Sequence, residues 1–251
     1  MCGRYASFTD AQDLADELAV AEIADDARML PPSWNVAPTD PVRIVVERAP
    51  RPSSTTDSGT DSGTESGTDV VRSLQVASWG LVPSWSKDRS RAARAINARS
   101  ETLAERPTFA KAFAARRCLV PADAYYEWRK GQTAKQPKQP HAIAAPDGHR
   151  LTFAGLYEFW RDPERSDDDP DRWLVSTTIV TRAAVGDLTR IHDRMPVVVP
   201  ATERDLWLDP AVGSDAAASV LASAPVELVA RPVSRAVGSV ANDGPHLLEP
   251  V

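Results

Sequence analysis

A cysteine at position 2 offers the most chemistry in this chain, because a small side chain there permits removal of Met1 and leaves Cys2 with a free α-amine beside its thiol. An α-amino group titrates near about 7.7–8.0, against about 10.4 for lysine, so at neutral pH a useful fraction is an unprotonated nucleophile. The thiol titrates near about 8.5. Together they can attack an aldehyde twice. The amine forms an imine, and the sulfur, held on the same residue, closes a thiazolidine ring with a large proximity advantage. With Met1 retained, neither the amine nor that geometry exists. Glu127 stands in the alternating run AYYEWRK and His192 in IHDR. On pattern alone, an isolated glutamate in such a strand faces solvent, and a lone histidine bonds neighbouring backbone. Cys118, followed by apolar Leu119 and Val120, reads as buried and inert. Two cysteines and four scattered histidines (His141, His149, His192, His246) give neither a disulfide framework nor zinc-ligand spacing, so no metal and no cofactor is expected.

These residues need a scaffold, and 251 residues with 42% apolar and 25% charged side chains are enough to bury a core. Short β-rich runs recur at VRIVVE, VVRSLQVASW, CLVPA, AYYEWRK, HAIAA, LTFAGLYEFW, WLVSTTIVT, MPVVVP and VELVARPV, punctuated by many of the 21 prolines. Helical signals are fewer. Thr9 with Gln12 forms a capping-box pattern opening a helix through about Ala27, with Leu14, Leu18 and Ile23 inward. Another runs over 100–115, broken near Pro107, and later helices are expected near 183–190, 202–208 and 214–223. The expected fold is α+β, a single domain over 1–251 on a curved, mostly antiparallel β-sheet or barrel with peripheral helices. Residues 50–69, PRPSSTTDSGTDSGTESGTD, repeat Ser-Gly-Thr with an acid and almost no apolar residue, which predicts a disordered acidic insertion in a hairpin loop between strands at 42–47 and 70–79. No bilayer-length apolar run and no secretory h-region is present, so a cytoplasmic protein without membrane partners is expected, monomeric and, if prokaryotic, nucleoid-associated.

A formal charge of −6 argues against nucleic acid until its distribution is examined. Between Arg72 and Arg117 stand ten basic and three acidic residues, a net +7, whereas the acids crowd 57–69 and 162–171. The stretch reads as either a solvated face or a phosphate-binding one.

The ordered segments Met1-Cys2-Gly3-Arg4-Tyr5, Trp34-Asn35-Val36-Ala37-Pro38-Thr39, Trp79-Gly80-Leu81-Val82-Pro83-Ser84-Trp85, Asn97-Ala98-Arg99-Ser100-Glu101-Thr102, Cys118-Leu119-Val120-Pro121, Tyr125-Tyr126-Glu127-Trp128 and Ile191-His192-Asp193-Arg194-Met195-Pro196 together resemble the SRAP (SOS-response-associated peptidase) family, over nearly the whole chain to Pro232-Val233-Ser234. The resemblance implies a protein that recognises abasic sites in single-stranded DNA during the damage response and traps the sugar aldehyde on Cys2 as a thiazolidine crosslink, with lyase-like chemistry and a peptidase-class, autoproteolytic N-terminus. It also implies that Cys2 is the nucleophile and that Asn97, Glu127 and His192 are the other active-site residues. Glu127 would move protons between amine, carbinolamine and sugar oxygens, His192 would open the sugar ring, and Asn97 would orient the amine or ring oxygen.

Within the same motifs, Arg4, Arg99 and Arg194 are the expected phosphate ligands, and Trp79 or Trp85 the stacking or wedging side chain, with no basis in the sequence for choosing between them. Asn35, Pro38, Gly80 and Thr181 complete the implied DNA contacts, while Trp128 and Trp173 are expected in the core. Two departures stand out: the insertion at 50–69, and Arg182 where an acidic residue is expected. Two other functions fit parts of the pattern. An N-terminal-nucleophile hydrolase or amidotransferase would use Cys2 but not the basic stretch, and a non-enzymatic single-strand binder would use the arginines and tryptophans but not Cys2.

Overall fold

β-Branched and aromatic residues crowd a helical turn but pack well on a pleated surface, and their runs set the architecture. The computed structural model describes residues 2–48, 70–131, 133 and 136–251. Its strands are β1 (Tyr5–Ser7), β2 (Glu22–Ile23), β3 (Ser33–Val36), β4 (Pro41–Arg48), β5 (Val71–Trp79), β6 (Asn97–Arg99), β7 (Arg117–Ala122), β8 (Ala124–Arg129), β9 (Gln139–Ala144), β10 (Leu151–Arg161), β11 (Trp173–Ala183), β12 (Arg194–Pro196) and β13 (Val229–Pro232). The helices are α1 (Ala11–Glu17), α2 (Asp25–Met29), α3 (Ala110–Ala115), α4 (Arg204–Leu208) and α5 (Ser214–Ala222).

Strands β5, β4, β7, β10 and β11 pair antiparallel in that order, and β11 returns to β5 in parallel at Ser176↔Ser78 and Thr177↔Trp79, closing a five-stranded barrel. Closure removes the exposed edges of those strands. A second sheet, ordered β13-β9-β8-β1-β3, is antiparallel throughout. It packs on one side, where Tyr5 and Tyr125 meet Ile44, Val46, Trp79, Cys118, Val120 and Phe153. The intervening residues Val45 and Leu119 join the other cluster, with Leu14, Phe113, Trp207 and Leu221 from the helices. Both faces of β4 and β7 are therefore buried, which is why VRIVVE and CLVPA are nearly continuous apolar runs rather than alternating ones. The α+β fold with a mostly antiparallel barrel and peripheral helices is thus what the molecule adopts.

Several local expectations give way. The long helix from Thr9 to Ala27 is α1 and α2 separated by β2, with Ala19 at φ +52° breaking the first. Asp10, not Thr9, is the cap: its carboxylate accepts the Gln12 amide at 2.7 Å, while Thr9 donates its hydroxyl to Asp123 at 2.5 Å. Ile23 leaves the helix because pairing beside Leu74 in the sheet buries it against the barrel. The helix over 100–115 reduces to a 3-10 turn at Ser100–Thr102 and to α3, since Pro107 has no amide to carry a helix across the gap. The segment at 183–190 is likewise only a 3-10 turn, Gly186–Arg190, entered through Gly186 at φ +55°. Trp173 is not a core anchor: at the start of β11 it is 51% exposed.

The insertion at 50–69 lies outside the described residues. Its flanking strands stay in register to Arg48↔Val71, a separation that a tight turn can close. Replacing 50–69 by a Gly-containing turn is therefore expected to raise stability by no more than about 2 kcal/mol, because it removes about two to three doublings of loop length at about 0.6 kcal/mol each. A loss of stability on deletion would show that the segment packs on the barrel.

Candidate active site

Cys2 immediately precedes β1, which is held on both sides by β3 and β8, so the N-terminus is drawn into the interface between the two sheets. Its side chain is fully buried, in the cluster with Tyr5 and Tyr125. Asn97 opens β6 and is placed by parallel pairing with β11 at Ile179↔Asn97. From there its Nδ2 donates to the main-chain carbonyl of Cys2 at 2.7 Å. Asn97 Oδ1 is buried with no hydrogen-bond partner among the described residues, leaving an acceptor for an incoming group. Glu127 lies on β8, two residues beyond the Tyr5↔Tyr125 pair, and is 4% exposed, so the solvent-facing alternative is excluded.

Burial, reinforced by the negative charge of Glu127, pushes the Cys2 thiol well above its ordinary value. The thiol is thus held protonated, with the charge of Glu127 adding to the larger effect of burial. His192 follows the turn whose Leu188 and Ile191 pack in the Cys2 cluster. Its Nδ1 lies 2.9 Å from the Arg194 amide and 2.8 Å from the Asp193 carboxylate. A bare Nδ1 accepts the first and a protonated Nδ1 donates to the second, so the ring has a partner in each protonation state. Cys118 is a packing residue: it is fully buried beside Thr177 Oγ1 at 3.5 Å, and burial pushes its thiol up to about 12.

The basic stretch divides by partner. Arg72 is held by Glu47 and Asp205, Arg116 by Glu158, and buried Arg117 by the carbonyls of Phe113, Ala114, Trp207, Asp209 and Val212. Lys87, Arg91, Arg94, Arg99 and Arg106 instead line one cleft of about 810 Å³, together with Trp85 and Asn97 and a single carboxylate, Asp88. Arg99 is exposed there. Of the two tryptophans, Trp85 is 64% exposed at this cleft, whereas Trp79 is fully buried with its Nε1 on the Ile96 carbonyl. Gly80 lets the chain turn between them. Its φ is +138°, and a Cβ there would sit 2.5 Å from the Ala92 carbonyl oxygen. The Pro38 loop is tied to the same turn through Thr39 N–H on the Trp79 carbonyl at 2.8 Å.

Other named residues are tied into the frame. Arg4 donates to Asn35 Oδ1 at 2.8 Å and to the Val237 carbonyl at 3.0 Å, and Asn35 is buried on the carbonyls of Ser239 and Asn242. Arg194 grips Glu101 through two nitrogens at 2.5 and 2.9 Å and the Thr181 carbonyl at 2.6 Å, while Thr181 is buried on the Ala98 carbonyl. Arg182 spends its guanidinium on the Ser223 carbonyl at 2.7 Å. The sequence reading passed over Glu101 and, as cleft residues, Arg91, Arg94 and Arg106. Only the local charge excess hinted at them, since their convergence depends on how the 83–109 segment folds back.

Hydrogen bonding from Arg194 holds the Glu101 carboxyl down at about 2. A depressed carboxylate contributes stability that is present above its unfolded value, near about 4.3, and is lost as pH falls through about 2. Because Glu101 is half exposed, the contribution is under about 1 kcal/mol. Glu101→Gln is accordingly expected to show a shallower loss of stability between pH about 4.5 and about 2 than the parent, read from denaturant midpoints; an unchanged slope would mean the pair is not formed in solution.

The family model of SOS response associated peptidase (SRAP) matches residues 1–240. The abasic site processing protein YoqW of Bacillus subtilis is 31% identical over 99% of both chains, and YedK of Escherichia coli, another abasic site processing protein, is 30% identical over the full length of both. A solved structure of a protein from Bacteroides thetaiotaomicron, 21% identical, superposes over the whole of both chains with a TM-score of 0.76 and so shares the fold. With motifs, architecture and full-length similarity in agreement, the chain belongs to the SRAP family.

Proposed function

We propose that the protein captures abasic sites in single-stranded DNA, forming a thiazolidine between the sugar aldehyde and Cys2 once Met1 has been removed. The observation that carries the reading is Asn97, which lines the cationic cleft and at the same time holds the Cys2 carbonyl, with the buried charge of Glu127 acting on the thiol. A strand whose phosphates track Lys87, Arg91, Arg94, Arg99 and Arg106 then presents its lesion at Cys2.

The chemistry follows in balanced steps. His192 gives a proton to the ring oxygen and takes one back from the anomeric hydroxyl as the closed sugar opens to the aldehyde. The α-amine of Cys2 adds to the carbonyl carbon and passes one proton through Glu127 to the oxygen, giving the carbinolamine; its hydroxyl leaves as water with the amine's second proton, again carried by Glu127, leaving a neutral imine. The protonated thiol passes its proton to Glu127 as sulfur adds to the imine carbon, and the nitrogen takes up a proton as the ring closes. One water is lost in total. Intact-protein mass spectrometry after mixing with an abasic single-stranded oligonucleotide is the direct test. The expected species is the chain without Met1, plus the oligonucleotide, minus one water. An unmodified protein mass, with turnover of a small amide instead, would favour an N-terminal-nucleophile hydrolase.

A further inference from the structure

Beyond the cleft that holds Asn97 lies a second cationic one. Arg129, Lys130, Arg190 and Arg235, from the end of β8, the turn after it, the segment before His192 and the segment after β13, line a cleft of about 590 Å³ that has no carboxylate among its lining residues. It shares Arg129 and Arg190 with a space of about 640 Å³ whose lining includes Ile191, Met195 and the carboxylates Asp187 and Glu227, so the carboxylate-free stretch is the 590 Å³ cleft alone. Among the described residues, Arg129, Lys130 and Arg235 have no ion-pair partner, and Arg190 has only exposed Asp187 at 3.2 Å. In a chain of net charge −6, cations gathered from distant segments without carboxylates repel one another unless an anion joins them.

The position of this cleft relates it to the active site. Arg129 stands two residues beyond Glu127 on β8 and so shares its face of the sheet. His141, opposite Glu127 in register, lines the 640 Å³ space with Arg129, and Arg190 and Ile191 directly precede His192. The Asn97 cleft has no lining residue in common with either space. One cleft is thus lined by Asn97 itself, and the other by residues that neighbour Glu127 and His192 in register or along the chain. A strand with its lesion at Cys2 must leave in two directions, and the Asn97 cleft accommodates one.

We propose that the cleft of Arg129, Lys130, Arg190 and Arg235 carries the phosphates of the same strand on the other side of the lesion. The proposal rests on the single-strand abasic-site reading above, and its test separates the two. Binding is measured for three oligonucleotides with the abasic site at the centre, at the 5′ end or at the 3′ end, using the full chain and the double variant Arg129→Gln/Arg235→Gln. The parent is expected to bind the central lesion most tightly. The double variant should bind it about tenfold more weakly, with a salt slope shallower by about 1.4, near 0.7 for each lost contact. On one of the two end-lesion substrates, the one lacking the arm in question, variant and parent should be equal. Arg129→Lys/Arg235→Lys should retain the affinity, which a loss through misfolding would not allow. The proposal is overturned if the variant binds all three substrates as the parent does, if it weakens on all three alike, or if only its binding of inorganic phosphate changes, which would make this a small-anion site. Normal crosslinking by the parent with any of these outcomes leaves the abasic-site reading intact, whereas no crosslink and no binding by the parent removes both.

Discussion

Cys2→Ala is expected to abolish the heat-stable adduct with abasic single-stranded DNA while leaving affinity for that DNA within about threefold. The side chain is buried in the Tyr5 and Tyr125 cluster and is not among the residues lining the cleft, so its loss removes the ring-closing sulfur rather than a phosphate contact. The α-amine remains in this variant and can still form an imine, but an imine hydrolyses on denaturation. Borohydride reduction should therefore recover a crosslink from Cys2→Ala and from Cys2→Ser, the serine oxygen closing a far less durable ring than sulfur. Changing Cys118 is the control: it is as deeply buried but lies inside the barrel wall beside Thr177, so Cys118→Ala should crosslink normally at a cost of about 1–2 kcal/mol in stability. An undiminished heat-stable crosslink from Cys2→Ala would end the thiazolidine mechanism. Loss of DNA affinity with it would instead favour a hydrolase or binder in which Cys2 is structural.

How much of this was legible in the sequence depends on how local each signal is. The strands were readable because both faces of β4 and β7 are buried and leave continuous apolar runs, and the hairpin across 50–69 followed from the two runs flanking it. The helices were overcalled. The 3.6-residue pattern of Leu14, Leu18 and Ile23 persists beyond the point where Ala19 turns the backbone to φ +52°, and what captures Ile23 is pairing with β5, a partner about fifty residues away. Cys2 was legible as a candidate nucleophile only from its position taken together with the ordered motifs around it. The burial of Glu127 was not legible, because AYYEWRK alternates as a half-exposed strand would, and only the packing of β8 between β1 and β9 buries that face. Charge counting located the basic region but could not separate Arg117, which clamps backbone carbonyls, from Arg99, which faces the cleft. Nor could it show that Arg194 already has a bidentate carboxylate partner in Glu101.

That partner changes which arginine should test binding apart from chemistry. Arg194→Ala strips Glu101 of its partner and disturbs Thr181 as well, so its effect mixes electrostatics with structure. Arg99→Ala removes an exposed guanidinium with no ion pair among the described residues, and is expected to weaken binding and make its salt dependence shallower by about 0.7 while the adduct still forms at saturating DNA. Glu127→Gln should behave in the opposite way. It keeps the volume of a side chain that is 4% exposed and removes the group that takes the thiol proton, so affinity should hold while crosslinking at saturation slows by roughly 10²–10⁴. Because Glu127 also helps hold the Cys2 thiol up, the glutamine variant should recover part of its rate as pH rises, when hydroxide can take the proton that the carboxylate no longer accepts. His192→Ala should spare affinity too, but its defect belongs to ring opening, so an abasic analogue held as the open aldehyde should restore its rate and leave Glu127→Gln slow. Single-turnover crosslinking at saturating DNA, followed across pH for the three variants with closed and open substrates, reads these differences directly. If Glu127→Gln weakened binding as much as Arg99→Ala and crosslinked at the parental rate once saturated, its carboxylate would be a structural group and the proton transfers would have to be assigned to His192 alone.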